Sequence, residues 1–324
     1  MVKLENGKPL KNNAKPRKHN SYAADRAFRA TAAAAGVLIL CILASTAVFL
    51  LVNASPVFFS DKAKVEKTIM SFSGGQTSNF FSYVGPLVFG TVIASALALC
   101  IAYFVAAGIA LFVSHYAPKP LALVLNGVID LLASIPSVIY GLWGGLVLVP
   151  HIHPLWEFFN RYLGAIPLFS GPVSAPARTI SSVAVVLAVM ILPIITSIAR
   201  DIFVQTPKLQ EEAALALGAT KWESIKLAVL PFGRSGLVSA SMLGLGRALG
   251  ETMAVLMILS PGREYSFKLL TASQHQTIAA NIAAQFPEAD SLGASVLIAT
   301  GLILFVITFA VNFFARKIAG RKVK

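Results

Sequence analysis

Charged residues are scarce in this sequence. They make up 13% of its 324 residues, about half the share of a soluble domain, whereas 56% of the residues are hydrophobic. So little charge excludes an ordinary soluble domain, and we predict an all-α integral membrane protein. The net charge is nevertheless +13. Because the basic residues lie mostly outside the apolar runs, membrane topology explains them better than nucleic-acid binding does.

Cysteine is also rare, and the common cofactor motifs are missing. Cys41 and Cys100 lie inside apolar segments, without the spacing of a disulfide framework or a metal site, and we expect them to pack in the core. His151 and His153 provide too few ligands for a metal. No G-x-x-x-x-G-K-[ST] phosphate loop occurs. The sequence therefore predicts no ATP-binding motif, metal or other cofactor in this chain.

Six apolar segments are long enough to cross a bilayer, which takes about 20 residues in a helix. The first is too long for the hydrophobic region of a signal peptide, so we expect it to stay as a helix. A polar loop is predicted at residues 53–85, and a loop with a short interfacial helix at 151–179. The predicted spans cover residues 31–52, 86–115, 121–149, 180–202, 236–260 and 292–314.

Lys and Arg are distributed unevenly between the two sides of these spans. With the N-terminus inside, the inner segments hold 19 of the 27 basic residues and the outer loops hold 7, and Arg247 lies within a span. The positive-inside rule then places both termini in the cytoplasm of a multi-pass cell-membrane protein. The predicted domains are a basic tail at 1–29, a transmembrane domain at 30–315 and a second basic tail at 316–324. The first tail either contacts anionic lipid or only fixes the topology.

Two charged residues interrupt the fifth span, 236–260. Arg247 and Glu251 lie near its middle, where each charge costs roughly 2.5–3.5 kcal/mol on insertion scales. Their i, i+4 spacing predicts that both side chains share one face of a helix. That face must point into protein or a water-filled path rather than into lipid. A buried ion pair that only fixes helix docking is the alternative, but a place in a solute path is favoured.

The third span contains a proline and an acid. Pro136 is predicted to kink the helix, with Ser134 or Ser137 satisfying the freed backbone groups. Asp130 lies near the expected membrane boundary, so we favour a capping or interfacial role for it over a place in a path.

The cytoplasmic loop at about 204–235 is predicted to form a hairpin of two short helices. Thr206 and Pro207 are typical of a helix start, and Gly218 of a helix end. Thr220 and Glu223 have the spacing of a capping box that begins the second helix. We expect Pro231 to end that helix. The Ala-rich face suits the groove of a partner protein better than a lipid surface.

This hairpin resembles the EAA loop of ABC importer permeases. In that family the loop is the coupling helix, which docks into a cleft of the cytoplasmic ATPase. The set of matching positions is completed by Leu230 and Pro231. The resemblance implies an ATPase-coupling role for Glu212, Ala213, Ala214 and Gly218.

A closer resemblance is to the C-type subunit of the phosphate-specific (Pst) permeases, and it covers about residues 84–314. It implies a type I ABC importer permease fold with six transmembrane helices and a role in phosphate import. By position, Arg247 and Glu251 match the charged pair that this family places in the translocation path. The segments that carry the resemblance are 135–143, 201–203, 205–207, 243–254 and 304–308.

The resemblance also implies the partners of this chain. A homologous second permease shares the path, and an extracytoplasmic phosphate-binding protein delivers the anion. A cytoplasmic ATPase dimer binds ATP and Mg and drives transport, and membrane lipid surrounds the spans. No nucleic-acid partner is expected.

Three other functions stay open. An ABC permease for another oxyanion, such as molybdate or sulfate, would share the hairpin but need not share the charged span. A secondary transporter or channel would work without ATP, but such carriers often contain inverted repeats, and the two halves of this chain show none. A membrane anchor without a path would leave the buried charges as an unexplained cost.

Overall fold

Helices form almost all of the fold, because an apolar chain must satisfy its backbone hydrogen bonds internally where water is absent. The structure is a computed structural model and describes residues 20–319. Residues 1–19 and 320–324, which hold most of both predicted basic tails, lie outside the described residues. No β-strand occurs between residues 20 and 319.

The described chain contains helices of very different length. Residue contacts divide it into a first unit, the part of α1 up to Phe49, and a second unit from Leu50 onward. The helices are α1 (Asn20–Ala54), α2 (Pro56–Phe59), α3 (Lys62–Ser73), α4 (Phe80–Leu111), α5 (Lys119–Ser134), α6 (Ser137–Trp143), α7 (Val149–His151), α8 (His153–Leu163), α9 (Ile180–Val204), α10 (Lys208–Ala216), α11 (Lys221–Ser224), α12 (Leu230–Leu249), α13 (Met253–Ile258), α14 (Ile278–Gln285) and α15 (Ser291–Ala319).

Five described segments are long and apolar enough to cross a membrane. The predicted third span is instead a pair of helical segments, Lys119–Ser134 and Ser137–His151, bent by 92°. Counting that pair as one span gives the six that the sequence predicts. The predicted kink at Pro136 is thus a complete break, because Ile135 before the proline is forced into extended backbone. The continuous segments are Asp25–Phe59, Phe80–Tyr116, Ile180–Val204, Lys221–Leu249 and Ser291–Ala315.

The core of the bundle lies where α4, α9 and α12 pack together. α4 presents small side chains at every fourth position, which form one stripe along the helix and allow close approach. Buried Ile and Leu residues of α9 pack in the same cluster. The stripe consists of Ala94, Ala98, Ala102, Ala106 and Ala110, none of them more than 1% exposed.

The predicted loop at 53–85 is wrong in part, since it contains α2 and α3. Asp61 caps α3 by accepting a hydrogen bond from the backbone N–H of Ala63, and Gly74 ends it in the left-handed region at φ +63°. Asn79 caps α4 in the same way, so the second span begins at Phe80 rather than at residue 86. Local caps therefore extend helices into polar sequence that hydropathy alone assigns to a loop.

Both cysteines are exposed in the chain, so the expectation that they pack in the core is wrong. Cys100 lies on α4 out of phase with the buried alanine stripe. In a membrane-spanning helix an apolar side chain that faces away from the bundle meets lipid, so an apolar run does not distinguish core from surface.

The segment between α13 and α14 packs against α4. The backbone N–H of Ile278 donates to Thr91 Oγ1 at 3.0 Å. His275 is buried, stacks on the ring of Phe89, and its Nε2–H donates to the carbonyl oxygen of Ser266 at 2.6 Å. Burial lowers the pKa of His275 below its usual value, so the ring is neutral at neutral pH. This segment is therefore a fixed part of the bundle.

Gly90 of α4 allows this contact, because a Cβ there would lie 2.3 Å from the carbonyl oxygen of Gln276. We predict that Gly90→Ala lowers the thermal midpoint of the purified protein by forcing this backbone away, at a cost of about 1–3 kcal/mol. Gly108→Ala on the same helix meets no atom within 4 Å and is the matched control. Equal midpoints for the two variants would contradict the close approach.

Candidate functional site

The fifth span is broken beside its charged residues. α12 ends at Leu249 and α13 begins at Met253. Arg247 therefore lies in the last turn of α12, whereas Glu251 lies in the break. The prediction that both side chains share one face of a continuous helix is wrong, although both remain in this short segment.

Glycine and a side-chain cap account for the break. Gly246 and Gly250 lower the helix propensity of the segment, and Gly250 takes a non-helical conformation after the last turn. Glu251 then caps α13, because its Oε1 accepts a hydrogen bond from the backbone N–H of Ala254 at 3.1 Å. A capping side chain competes with the continuing helix for backbone donors. The hydropathy pattern carries no sign of this local competition.

The break in the fifth span meets the break in the third. Gly141 of α6 faces Ala254 of α13, and Gly144, the residue directly after α6, faces Ile258 of α13. The later residue of one segment contacts the later residue of the other, so α6 and α13 run parallel. Their first turns lie close together. Two interrupted helices therefore bring their freed backbone groups to one level of the bundle, which is tolerated only inside protein or beside water.

Arg247 lies near the middle of the bundle. Three residues before it, Gly244 packs on Ile191 and Ile195, so a Cβ at Gly244 would lie 2.9 Å from Ile195 Cδ1. These two isoleucines occupy the central turns of α9, which has 25 residues. One turn further along α12, Arg247 is thus far from both ends of α9.

The guanidinium of Arg247 has no counterion among the described residues. The side chain is half-buried, and within residues 20–319 no carboxylate lies within 4.0 Å of it and no hydrogen bond to it is found. Its charge acts on the phenol of Tyr140 in α6, whose hydroxyl donates to the carbonyl oxygen of Leu132 across the bend. The sequence reasoning missed Tyr140, although it lies in the segment 135–143.

Glu251 is almost fully buried, at 8% exposed. Its Oε1 is engaged by Ala254, and no basic group of the described chain lies within 4.0 Å of its carboxylate. The alternative reading of the two charges, a buried Arg247–Glu251 ion pair that only fixes helix docking, is therefore not what the structure shows. The break therefore leaves an acid and a base in one short segment, and each side chain can still form hydrogen bonds or an ion pair with another group.

The predicted hairpin exists and joins α10 to α11. Gly218 ends the first helix with φ +86°, a left-handed conformation that favours glycine. The capping box is confirmed, since the Thr220 N–H donates to Glu223 Oε2 at 2.7 Å and the Glu223 N–H donates to Thr220 Oγ1 at 3.3 Å. The hairpin is held to the end of α4 by His115, which lies 3.7 Å from Glu211.

The hairpin exposes several large apolar side chains. Leu209 and Leu217 are 77% and 90% exposed, and Leu215 and Trp222 are also exposed. An apolar patch of this kind indicates a protein contact. The residues matched to the coupling loop lie beside it, with Glu212 and Ala213 exposed, Ala214 half-buried and Gly218 exposed.

Two details of the predicted hairpin are wrong. The Thr206 hydroxyl is buried and caps nothing, because α10 starts only at Lys208, after Pro207. Pro231 does not end the second helix. The π-helical turn Ile225–Val229 connects α11 to α12, and proline is tolerated in the first turn of α12, where an N–H is not needed.

Asp130 is not a cap. It lies well inside α5, and its Oδ1 accepts a hydrogen bond from Ser197 Oγ of α9 at 2.9 Å. This bond links the bent pair of helices to the central helix. The two residues are far apart in sequence, so the contact could not be found from spacing.

Broken helices beside Arg247, and an exposed hairpin at the other end of α12, are typical of an all-helical, multi-pass membrane transport subunit. The family model described as binding-protein-dependent transport system inner membrane component matches residues 98–323. The chain belongs to this family and is a multi-pass plasma-membrane protein.

Several curated relatives resemble the chain over nearly its full length. The phosphate transport system permease protein PstC 2 of Mycobacterium tuberculosis is 47% identical over 92% of this chain and 93% of that protein. PstC of Mycobacterium leprae is 45% identical over 92% and 94%. PstC of Mesorhizobium japonicum is 39% identical over 90% and 89%.

The fold is shared with a solved transporter. The crystal structure of a bacterial ABC transporter involved in the import of the acidic polysaccharide alginate has a TM-score of 0.53 at 17% identity, over 89% of this chain and 96% of that chain. The predicted ABC importer permease fold is thereby confirmed.

The capping role of Glu251 can be tested separately from the effect of its charge. We predict that Glu251→Gln keeps the thermal midpoint of the protein, because the amide oxygen still accepts from Ala254. Glu251→Leu removes the acceptor and should cost about 1 kcal/mol of stability. Differential scanning fluorimetry of the purified variants measures both. A lower midpoint for Glu251→Gln than for Glu251→Leu would contradict the capping role.

Proposed function

We propose that this chain is a permease subunit of an ATP-driven importer of inorganic phosphate, and that it forms the path together with a second permease. The observation that carries the proposal is the uncompensated Arg247 at the meeting point of two helix breaks. The names of the relatives, all phosphate transport system permeases, support phosphate as the solute. They favour this function over the molybdate, sulfate and ATP-independent alternatives.

Arg247 suits phosphate chemically. Phosphate at neutral pH is a mixture of monoanion and dianion that cannot cross hydrocarbon unaided. A guanidinium stays charged and offers a planar fork of N–H donors that matches two oxygens of the anion. Because no described residue engages these donors, phosphate entering the break would meet all of them.

Glu251 is proposed to limit how tightly the anion is held. Glu251 follows Arg247 by four residues in the broken segment, and its negative charge weakens the attraction for any anion. The Oε2 atom, which does not take part in the cap, can accept a hydrogen bond from a protonated phosphate oxygen. Sulfate carries no such proton at neutral pH, so this acceptor would disfavour it.

The chain is proposed to couple to partners rather than to hydrolyse ATP. It contains no G-x-x-x-x-G-K-[ST] phosphate loop, so ATP and Mg are bound by an ATPase dimer. The exposed leucines near Glu212 and Gly218 are apolar side chains suited to contact a groove of that ATPase. An extracytoplasmic binding protein delivers phosphate at the opposite end of the bundle.

The role of Arg247 is tested by phosphate uptake into proteoliposomes that hold the complete assembly. We predict that Arg247→Gln lowers uptake at least about tenfold and that Arg247→Lys, which keeps charge but loses the fork, lowers it less. Arg234→Lys, an exposed arginine on the same helix, is the control. Wild-type uptake by Arg247→Gln would remove the residue from the mechanism.

The role of the hairpin is tested by comparing ATP hydrolysis with uptake. We predict that Glu212→Lys, and Gly218→Asp, which strains the left-handed turn, leave the chain in the membrane but abolish phosphate-stimulated hydrolysis and uptake. Glu157→Lys on α8 makes the same charge reversal at an exposed site and should behave as wild type. Normal stimulation in both hairpin variants would refute the docking role.

A further inference from the structure

A second arginine lies in the segment between α13 and α14, in a fixed backbone frame. On one side of Arg263, the Gly262 N–H donates to the carbonyl oxygen of His275 at 3.0 Å. On the other side, the Glu264 N–H donates to the carbonyl oxygen of Gln274 at 2.8 Å. These two bonds pair residues 262–264 with residues 274–275. The backbone on both sides of Arg263 is thus fixed, and the fold sets the direction of its side chain.

The Arg263 guanidinium is held by neutral groups alone. It lies over the Tyr83 ring, 5.3 Å from the centroid, and its Nη2 donates to Asn281 Oδ1 at 3.4 Å. Asn281, only 1% exposed, donates in turn to the Tyr83 hydroxyl at 2.8 Å. The Nε of Arg263 is buried and has no hydrogen-bond partner. Within residues 20–319 no carboxylate lies within 4.0 Å of this guanidinium.

Without a bound anion, this arrangement of Arg263 lowers the stability of the fold. Buried donors are almost always satisfied, and a partly desolvated cation usually has an acid beside it. Asn281 cannot neutralise the charge, and its amide is already committed to both Arg263 and Tyr83. The half-buried, positively charged side chain of Arg263 is therefore suited to bind an anion from outside the chain.

The cluster lies at the end of the bundle away from the hairpin. Tyr83 is in the first turn of α4, whereas the other end of α4 leads to His115, which contacts the hairpin. Leu245 and Leu249, which flank Arg247 on α12, line a cavity whose α4 side begins at Val92. By helix rise, Tyr83 is about 14 Å from Val92 along α4, on the side away from this cavity. Arg263 and Arg247 therefore lie at different levels of the bundle.

We propose that Arg263, held by Asn281 and Tyr83, is a receiving site for the transported oxyanion at the outer end of the path, ahead of Arg247. This inference rests on the proposed function, which makes the solute phosphate. The anion binds to the guanidinium donors that Asn281 leaves free, and it supplies the counterion that no residue between 20 and 319 provides.

The test is phosphate uptake by the complete assembly in proteoliposomes, measured against the concentration of phosphate-loaded binding protein. We predict that Arg263→Gln lowers uptake about tenfold or more, while Arg263→Lys keeps part of it. Asn281→Asp should lower uptake similarly, because the new carboxylate pairs with Arg263 and excludes the anion. Arg178→Gln, an exposed arginine at the same end of the bundle, is the control and should stay within about twofold of wild type.

Asn281→Asp separates a binding role from a structural one. A purely structural Arg263 would gain an ion pair in this variant and keep its uptake, and that result would overturn the proposal. Uptake by the Asn281→Asp variant distinguishes the two roles even if the Arg263→Gln protein does not assemble. Equal losses in the Arg178 and Arg263 variants would also overturn it, since they indicate only a general effect of surface charge. A wild-type assembly that takes up no phosphate would instead overturn the proposed function.

Discussion

A permanent cation inside an apolar bundle is the constraint on which the rest of this structure depends. Arg247 cannot be deprotonated in a protein, and the described chain offers it no carboxylate. Such a charge is stable only beside water, a partner or a bound anion. The break that follows Leu249 leaves polar backbone groups beside it, and α6, which begins after the break at Pro136, packs against α13.

The same helix that carries the cation also carries the hairpin. From Lys221 the chain runs through the π-helical turn into α12 without a stop and reaches Arg247, so that no loop separates the docking surface from the charged site. α12 packs along α9 over this length, from Gly233 on Phe203 to Gly244 on Ile195. In the proposed mechanism, a shift of the hairpin would therefore move α12 along α9 and displace Arg247 with it.

The sequence was most informative where one local signal decides the structure. The Thr220–Glu223 capping box, the turn at Gly218 and the break at Pro136 follow from adjacent residues, and the spans follow from length and apolarity. The break after Leu249 was missed because hydropathy does not register a capping acid. The cluster of Tyr83, Arg263 and Asn281 joins residues far apart in the chain, and such contacts follow only from the folded bundle.

The two arginines differ in a way that bears on the direction of passage. Asn281 already occupies one donor of Arg263, and the Tyr83 ring covers one face of its guanidinium, whereas no described residue binds the donors of Arg247. An anion therefore meets fewer free donors at the outer site than at the inner one. Passage requires binding that is favourable enough for entry and weak enough for release. In the proposed path, the larger number of free donors at Arg247 favours movement of the anion inward, and the negative charge of Glu251 weakens its binding there.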